Sequence, residues 1–154
     1  MVHKPKHKVH SFRGLLGNGG QDEINLERQN VNLAYRIVKF QTIGDDPQVH
    51  RAESVTKIYR ETQTTIDGLI DFNDADLLGV SIYKNYEQAQ YPSSEAIIFD
   101  NVLFSRNIFV THTDEGGSTR SANYYIELEE VPVNAATLMQ LKLGVARKLN
   151  LQQD

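Results

Sequence analysis

The side chains able to do chemistry fall into a few groups. His3, His7 and His10 stand among Lys4, Lys6, Lys8 and Arg13 near the start of the chain. Three imidazoles could ligate a metal, but ligation needs a rigid frame and a second partner for each ring. Pro5 and its polar neighbours oppose such a frame, so these histidines read as solvated or as contacts to another surface. His112, between Thr111 and Thr113, reads as a hydrogen-bonded strand residue, and His50 lacks a sequence partner that would mark it as a base. Acids occur in pairs: Asp45-Asp46, Asp74 with Asp76, Asp114-Glu115 and Glu129-Glu130. Two carboxylates can cleave a glycoside, yet most of these stand at turn-forming positions, and the chain has no tryptophan to stack on a sugar.

Other signatures fail on inspection. The acidic run at 71–76 lacks the glycine and terminal glutamate of a calcium loop. There is no Gly-x-Ser-x-Gly elbow, and Gly17-Asn18-Gly19-Gly20 lacks the Lys-Ser/Thr of a phosphate loop. With no cysteine there is no thiol nucleophile, disulfide or cysteine zinc site. The reading is therefore of no catalytic residue, no metal and no cofactor. Three tyrosines are candidates for surface recognition: Tyr86 and Tyr91 in a polar loop, and Tyr125 on the outward phase of a strand. Glu127 and Glu129 beside Tyr125 would repel phosphate, so nucleic acid is not an expected partner.

The elements that must position these residues are mostly strands. At 154 residues the chain fits one domain with a core of its own. No apolar run is long enough for a membrane helix, and no membrane partner is expected. Residues 33–43, 55–62, 66–72, 80–83, 96–99, 108–113 and 121–131 carry β patterns, bounded by turn residues. In 33–43 Tyr35 and Ile37 share one phase while Val38 and Phe40 share the other, which requires two buried faces or a bulge. Residues 74–78 suit a single helical turn, and 114–118 read as a hairpin tip leading to 121–131. Asn134 is a helix N-cap, and Leu138, Leu141, Val145 and Leu149 form one helical stripe. The expected fold is mainly β: an antiparallel β-sandwich of jelly-roll type. Its expected divisions are a basic N-terminal arm with a glycine-rich linker (1–23), the sandwich (24–133) and a C-terminal helix on or beside it (134–154).

Charge is uneven along the chain. The net charge is −4, but the first fourteen residues hold four cations and no acid. A basic arm on an acidic body suits contact with an acidic protein surface, a neighbouring copy included. Within the arm, Phe12, Leu15 and Leu16 form an apolar patch. Lys4, Lys6, Lys8, Phe12, Arg13, Leu15 and Leu16 are the expected subunit-contact residues.

Several segments together resemble a known group. They are His10-Ser11-Phe12-Arg13-Gly14-Leu15-Leu16, Tyr35-Arg36-Ile37-Val38-Lys39-Phe40, Ala96-Ile97-Ile98-Phe99-Asp100-Asn101, the run from Asn107 to Asp114 and the run from Asn123 to Glu129. This set resembles small uncharacterised proteins of marine tailed bacteriophages. The resemblance implies a phage origin. Joined to the arm and the β pattern, it implies a non-enzymatic virion component, in capsid decoration, connector or tail, assembled in the host cytoplasm. Its partners would be other copies and other virion proteins. The alternative is a carbohydrate- or receptor-binding β-sandwich module.

Overall fold

The computed structural model describes residues 8–26, 32–48, 51–85, 93–117 and 119–143. Eight strands and one helix follow in order: β1 (Val9–Leu16), β2 (Gln21–Ile24), β3 (Leu33–Gly44), β4 (Ala52–Tyr59), β5 (Leu77–Asn85), β6 (Ser93–Ile98), β7 (Ile108–Asp114), β8 (Ala122–Pro132) and α1 (Ala135–Leu143). They build two antiparallel sheets, β1-β8-β3 and β2-β7-β4-β5-β6. Strand pairing is nested: β1 with β8, β2 with β7 and β4 with β5, while β3 packs alongside β6. Three nested ladders are the pairing order of a jelly roll, while β6 is hydrogen-bonded to β5 and not to β3.

Alternation sorts each strand between core and surface. On β8, Tyr124, Ile126 and Leu128 point inward. They meet Ile58, Leu78, Ile108 and Val110 of the opposite sheet in one apolar cluster. Toward the other end the interior turns polar: Thr42, Ser54, Thr56, Ser81 and His112 are all buried. The hydroxyls of Thr42 and Thr56 bond to each other between the sheets. The phase conflict in β3 is resolved by a bulge between Ile37 and Lys39, which turns both Ile37 and Phe40 inward.

Four expectations need correction. The first is the arm. From Val9 onward it is strand β1, paired with β8 along its whole length; only residues 1–7 lie outside the described ones. The alternating Phe12, Gly14 and Leu16 give β1 an inner face, so pairing offsets the entropy of ordering it. The glycine-rich linker is a bonded corner. Gly20 N donates to Gly17 O at 2.9 Å, and Gly19 N donates to the His112 carbonyl at 2.8 Å. Asn18 Oδ1 accepts from Asp114 N at 2.8 Å.

The second is 66–72, which is loop. Asp67, Asp71 and Asp74 each accept a bond from the backbone N–H two residues on, at 2.9–3.1 Å. Successive Asx turns outweigh the apolar alternation there. The third is 74–78: the turn exists, closed by Leu77 N to Asp74 O at 3.2 Å, but Leu77 already begins β5.

The fourth is the hairpin at 114–118. β7 and β8 belong to different sheets, so the chain crosses the sandwich here. The Asp114 carboxylate accepts the backbone N–H groups of Glu53, Gly116 and Arg120 at 2.8–3.0 Å. Gly117 (φ 84°) and Thr119 (φ 52°) take left-handed backbone and turn the chain out of the five-stranded sheet.

Asn134 is the helix N-cap, its Oδ1 accepting Thr137 N at 2.7 Å. No residue of α1 is buried. Of the expected stripe, Leu138 and Leu141 are half-buried, and Val145 and Leu149 lie outside the described residues.

Candidate functional site

The outer face of the β1-β8-β3 sheet gathers Arg13, Leu15 and Tyr125. Antiparallel register arranges it in four rows across the sheet: Leu15·Asn123·Ile43, Arg13·Tyr125·Gln41, Ser11·Glu127·Lys39 and Val9·Glu129·Arg36. The first two rows line an open cleft of about 480 Å³. Leu15 is 60% exposed and Ile43 62%, so the upper end of the face is apolar. The lower end is charged and internally balanced, with Arg36 3.3 Å from Glu129.

Tyr125 stands at the centre. Its phenol donates to Glu127 Oε1 at 2.9 Å, and Lys39 Nζ sits 5.7 Å from its ring centroid. The bond to Glu127 holds this phenol above the ordinary tyrosine range, so it is a donor at neutral pH. The site offers an apolar ridge, one aromatic ring, amide side chains and a cation in Arg13. The Tyr125 phenol is the hydroxyl on this face bonded to a carboxylate, and that bond keeps it protonated.

The sequence candidates divide. Arg13 and Leu15 lie on this face with Tyr125. Lys8 is exposed at its lower end, where its carbonyl accepts Glu130 N at 2.8 Å. Phe12 and Leu16 turn the other way: Phe12 packs against the core and Leu16 is part of it. They anchor β1 on its own body and are corrected as subunit contacts. Lys4, Lys6, Tyr86 and Tyr91 lie outside the described residues. Sequence reading missed Ile43, Gln41 and Asn123. The phase switch inside 33–43 was the available signal, because once the bulge is placed before Lys39, Ile43 must face out.

The residues weighed for catalysis have structural work. Asp45 takes both Nε and Nη2 of Arg120, at 3.2 and 3.1 Å. Asp46 accepts Gln48 N at 2.9 Å in a turn. His112 is fully buried, with Nδ1 3.1 Å from the Gly17 carbonyl. Burial lowers its pKa, against the opposing pull of that carbonyl and of Asp114. A neutral imidazole with no solvent access reaches no substrate. Among the described residues no cluster of histidine and carboxylates could hold a metal ion, and no helix is long and apolar enough to cross a membrane.

No protein-family model matches the sequence, and no curated protein matches it. Among solved structures, a chain described as the structure of tomato aspermy virus by X-ray crystallography is similar at 12% identity and a TM-score of 0.41, covering 88% of this chain and 84% of that one.

Proposed function

We propose that this chain is a non-enzymatic structural protein of a phage virion, assembling with copies of itself and with other virion proteins. The reading rests above all on the row Leu15·Asn123·Ile43. Two large apolar side chains flank Asn123 from the strands on either side of β8, each more than half exposed, on an open sheet face. Exposed apolar surface of this kind on a sheet face favours burial against a second protein. Strand β1, which carries Leu15, leads back into the basic residues Lys8, Lys6 and Lys4. One strand thus joins an apolar contact to a cationic segment, and the rest of the chain is acidic. Repeated contacts between such unlike surfaces close into rings or lattices. The resemblance to phage proteins supports the virion setting, in capsid decoration, connector or tail.

The test is light scattering with negative-stain imaging of the full chain. A deletion of residues 1–7 and a Leu15→Arg/Ile43→Arg variant accompany it. Deletion must stop before Val9, because β1 belongs to the sheet. The full chain should form discrete multi-copy species, and both altered forms should lose them while keeping the β circular dichroism. A full chain that stays monomeric at every concentration and ignores intact virions overturns the reading.

One observation favours a second reading. The Tyr125 ring lies in the cleft between Arg13, Gln41 and Asn123, an aromatic surface with amide and cationic donors around it. That combination suits a glycan or receptor sugar. Saturable binding on a glycan array, removed by Tyr125→Ala, would move the assignment to a binding module.

A further inference from the structure

A second apolar surface lies on the other sheet. The loop 60–76 crosses the outer face of β2-β7-β4-β5-β6, pinned where Lys57 Nζ donates to the Leu69 carbonyl at 2.7 Å. Beyond that pin, Ile70 and Phe72 form one wall of a groove of about 290 Å³. Val80 and Ile82 of β5 and Ala96 and Ile97 of the edge strand β6 form the rest, with Glu95 at the rim. Leu69 is 76% exposed, Phe72 51% and Ile97 52%. Asp71 stands exposed between Ile70 and Phe72, and Asp100 is exposed beyond Phe99. The groove is therefore apolar within and acidic around.

The chain itself holds a segment of the opposite design. Beyond Leu143, residues 144–154 lie outside the described ones. They combine Val145, Leu149 and Leu151 with Arg147 and Lys148, against one acid, Asp154. Their starting point is fixed. Arg106 Nη1 donates to the Lys142 carbonyl at 3.1 Å and lies 3.7 Å from Glu61 Oε1, at the start of the same loop that walls the groove. Leu141 sits against Arg60, Phe104 and Asn107.

We infer that the groove between residues 69–72 and β6 receives this chain's own C-terminal segment, with Leu149 and Leu151 on the apolar floor and Arg147 and Lys148 against the acidic rim. Reach allows it. From the start of β7, next to Arg106, to Val80 and Ile97 is two to three strand spacings sideways and about three residues along the strands, a span of roughly 14–18 Å. An extended chain covers that distance and more in six residues, roughly 20 Å, and Leu149 is the sixth residue after Leu143. Tethering decides between the chain's own segment and that of a second copy. A short linker gives an effective concentration on the order of millimolar, which a free second copy does not match in dilute solution. The inference does not depend on the assembly reading, which concerns the other sheet.

The chain has no tryptophan, so a Phe72→Trp substitution in the full chain is a single reporter in the groove. Its emission should be blue-shifted, and should move to that of exposed tryptophan when Leu149→Asp and Leu151→Asp are added. The blue shift should be unchanged across a wide dilution series. Arg147→Glu with Lys148→Glu should give a partial change that added salt reproduces in the parent. In the protein without the reporter, amides of 69–73 and 93–98 should exchange at least about tenfold faster once Leu149 and Leu151 are changed. Unaltered emission and exchange in the aspartate variant overturn the proposal. A blue shift that fades on dilution overturns it as well, by assigning the groove to a second copy.

Discussion

The phenol of Tyr124 on β8 donates a 2.8 Å hydrogen bond to Asp22 Oδ2 on β2, tying one sheet to the other. Tyr124 is 5% exposed, so the bond forms largely away from water. A hydrogen bond to a charged acceptor contributes roughly 1.5–3 kcal/mol, and Tyr124→Phe should lose about that much in urea unfolding. The phenol is held above the ordinary value of 10.0, first by burial and then by the bond to Asp22. The sign follows: the protonated phenol is favoured in the folded state. Its contribution is intact below about pH 10 and is lost as pH rises further. The stability gap between the parent and Tyr124→Phe should hold at neutral pH and narrow in alkali. A gap that widens would contradict the assignment.

Gly14 on β1 lies directly opposite that same ring. A Cβ there would stand 2.7 Å from the Tyr124 phenol oxygen and 2.9 Å from two ring carbons. The ring is fixed at its far end by Asp22, so it cannot give way freely. Gly14→Ala should cost about 1–3 kcal/mol, the usual range for overpacking a filled core. In a Tyr124→Leu background the same change should cost much less. A double-mutant cycle with no coupling would show that the crowding is relieved elsewhere.

These contacts also mark how far the sequence could be read. The β class, the polar turns and the Asn134 cap were legible, because alternation, Asx chemistry and capping act over a few residues. The bulge in β3 left its trace as the phase conflict between Ile37 and Val38. Partners across the sandwich left none. Nothing near Tyr124 names Asp22, more than a hundred positions away. Charge made residues 9–16 read as an arm, although Phe12, Gly14 and Leu16 already alternate as a strand. The hairpin at 114–118 misled for a related reason. Its glycines report a sharp turn, but whether the chain returns to the same sheet is set by Asp114, whose carboxylate gathers N–H groups from Glu53, Gly116 and Arg120.

His112 predicts a pH dependence. It is fully buried on the inner face of β7, opposite Thr56 in register, with Asp114 and Asp45 as the nearby charges and the carbonyls of Gly17 and Leu16 as bonding partners. Burial lowers its pKa below the ordinary 6.5. The unfolded chain therefore binds more protons than the folded one once pH falls below that value. The stability His112 contributes is present above about pH 6.5 and is lost as pH falls further toward its folded value. His112→Asn keeps an N–H donor within reach of the Gly17 carbonyl but does not titrate. Unfolding free energies at about pH 5 and about pH 7.5 should differ less in this variant than in the parent. An equal difference would place the acid sensitivity in the carboxylates.

Lys57 is the most deeply buried cation among the described residues, 3% exposed on the outer face of β4. Its ammonium donates to the Leu69 carbonyl at 2.7 Å and lies 5.4 Å from the Tyr59 ring centroid. The neighbouring Asp67 is 3.5 Å away and nearly half exposed, so that ion pair is screened and adds little. The carbonyl bond is then the stronger pin holding loop 60–76 against its sheet. Lys57→Met keeps the aliphatic stem against β5 and removes only the donor. Local opening of the loop should become easier by about 1.5–3 kcal/mol, the range for a hydrogen bond that involves a charged group. The sandwich core, which faces the other way, should unfold at nearly the same urea concentration. Native-state hydrogen exchange and limited proteolysis at 64–72 would separate the two effects. Unchanged protection of the loop in Lys57→Met would mean that its Asx turns, rather than this lysine, hold it in place.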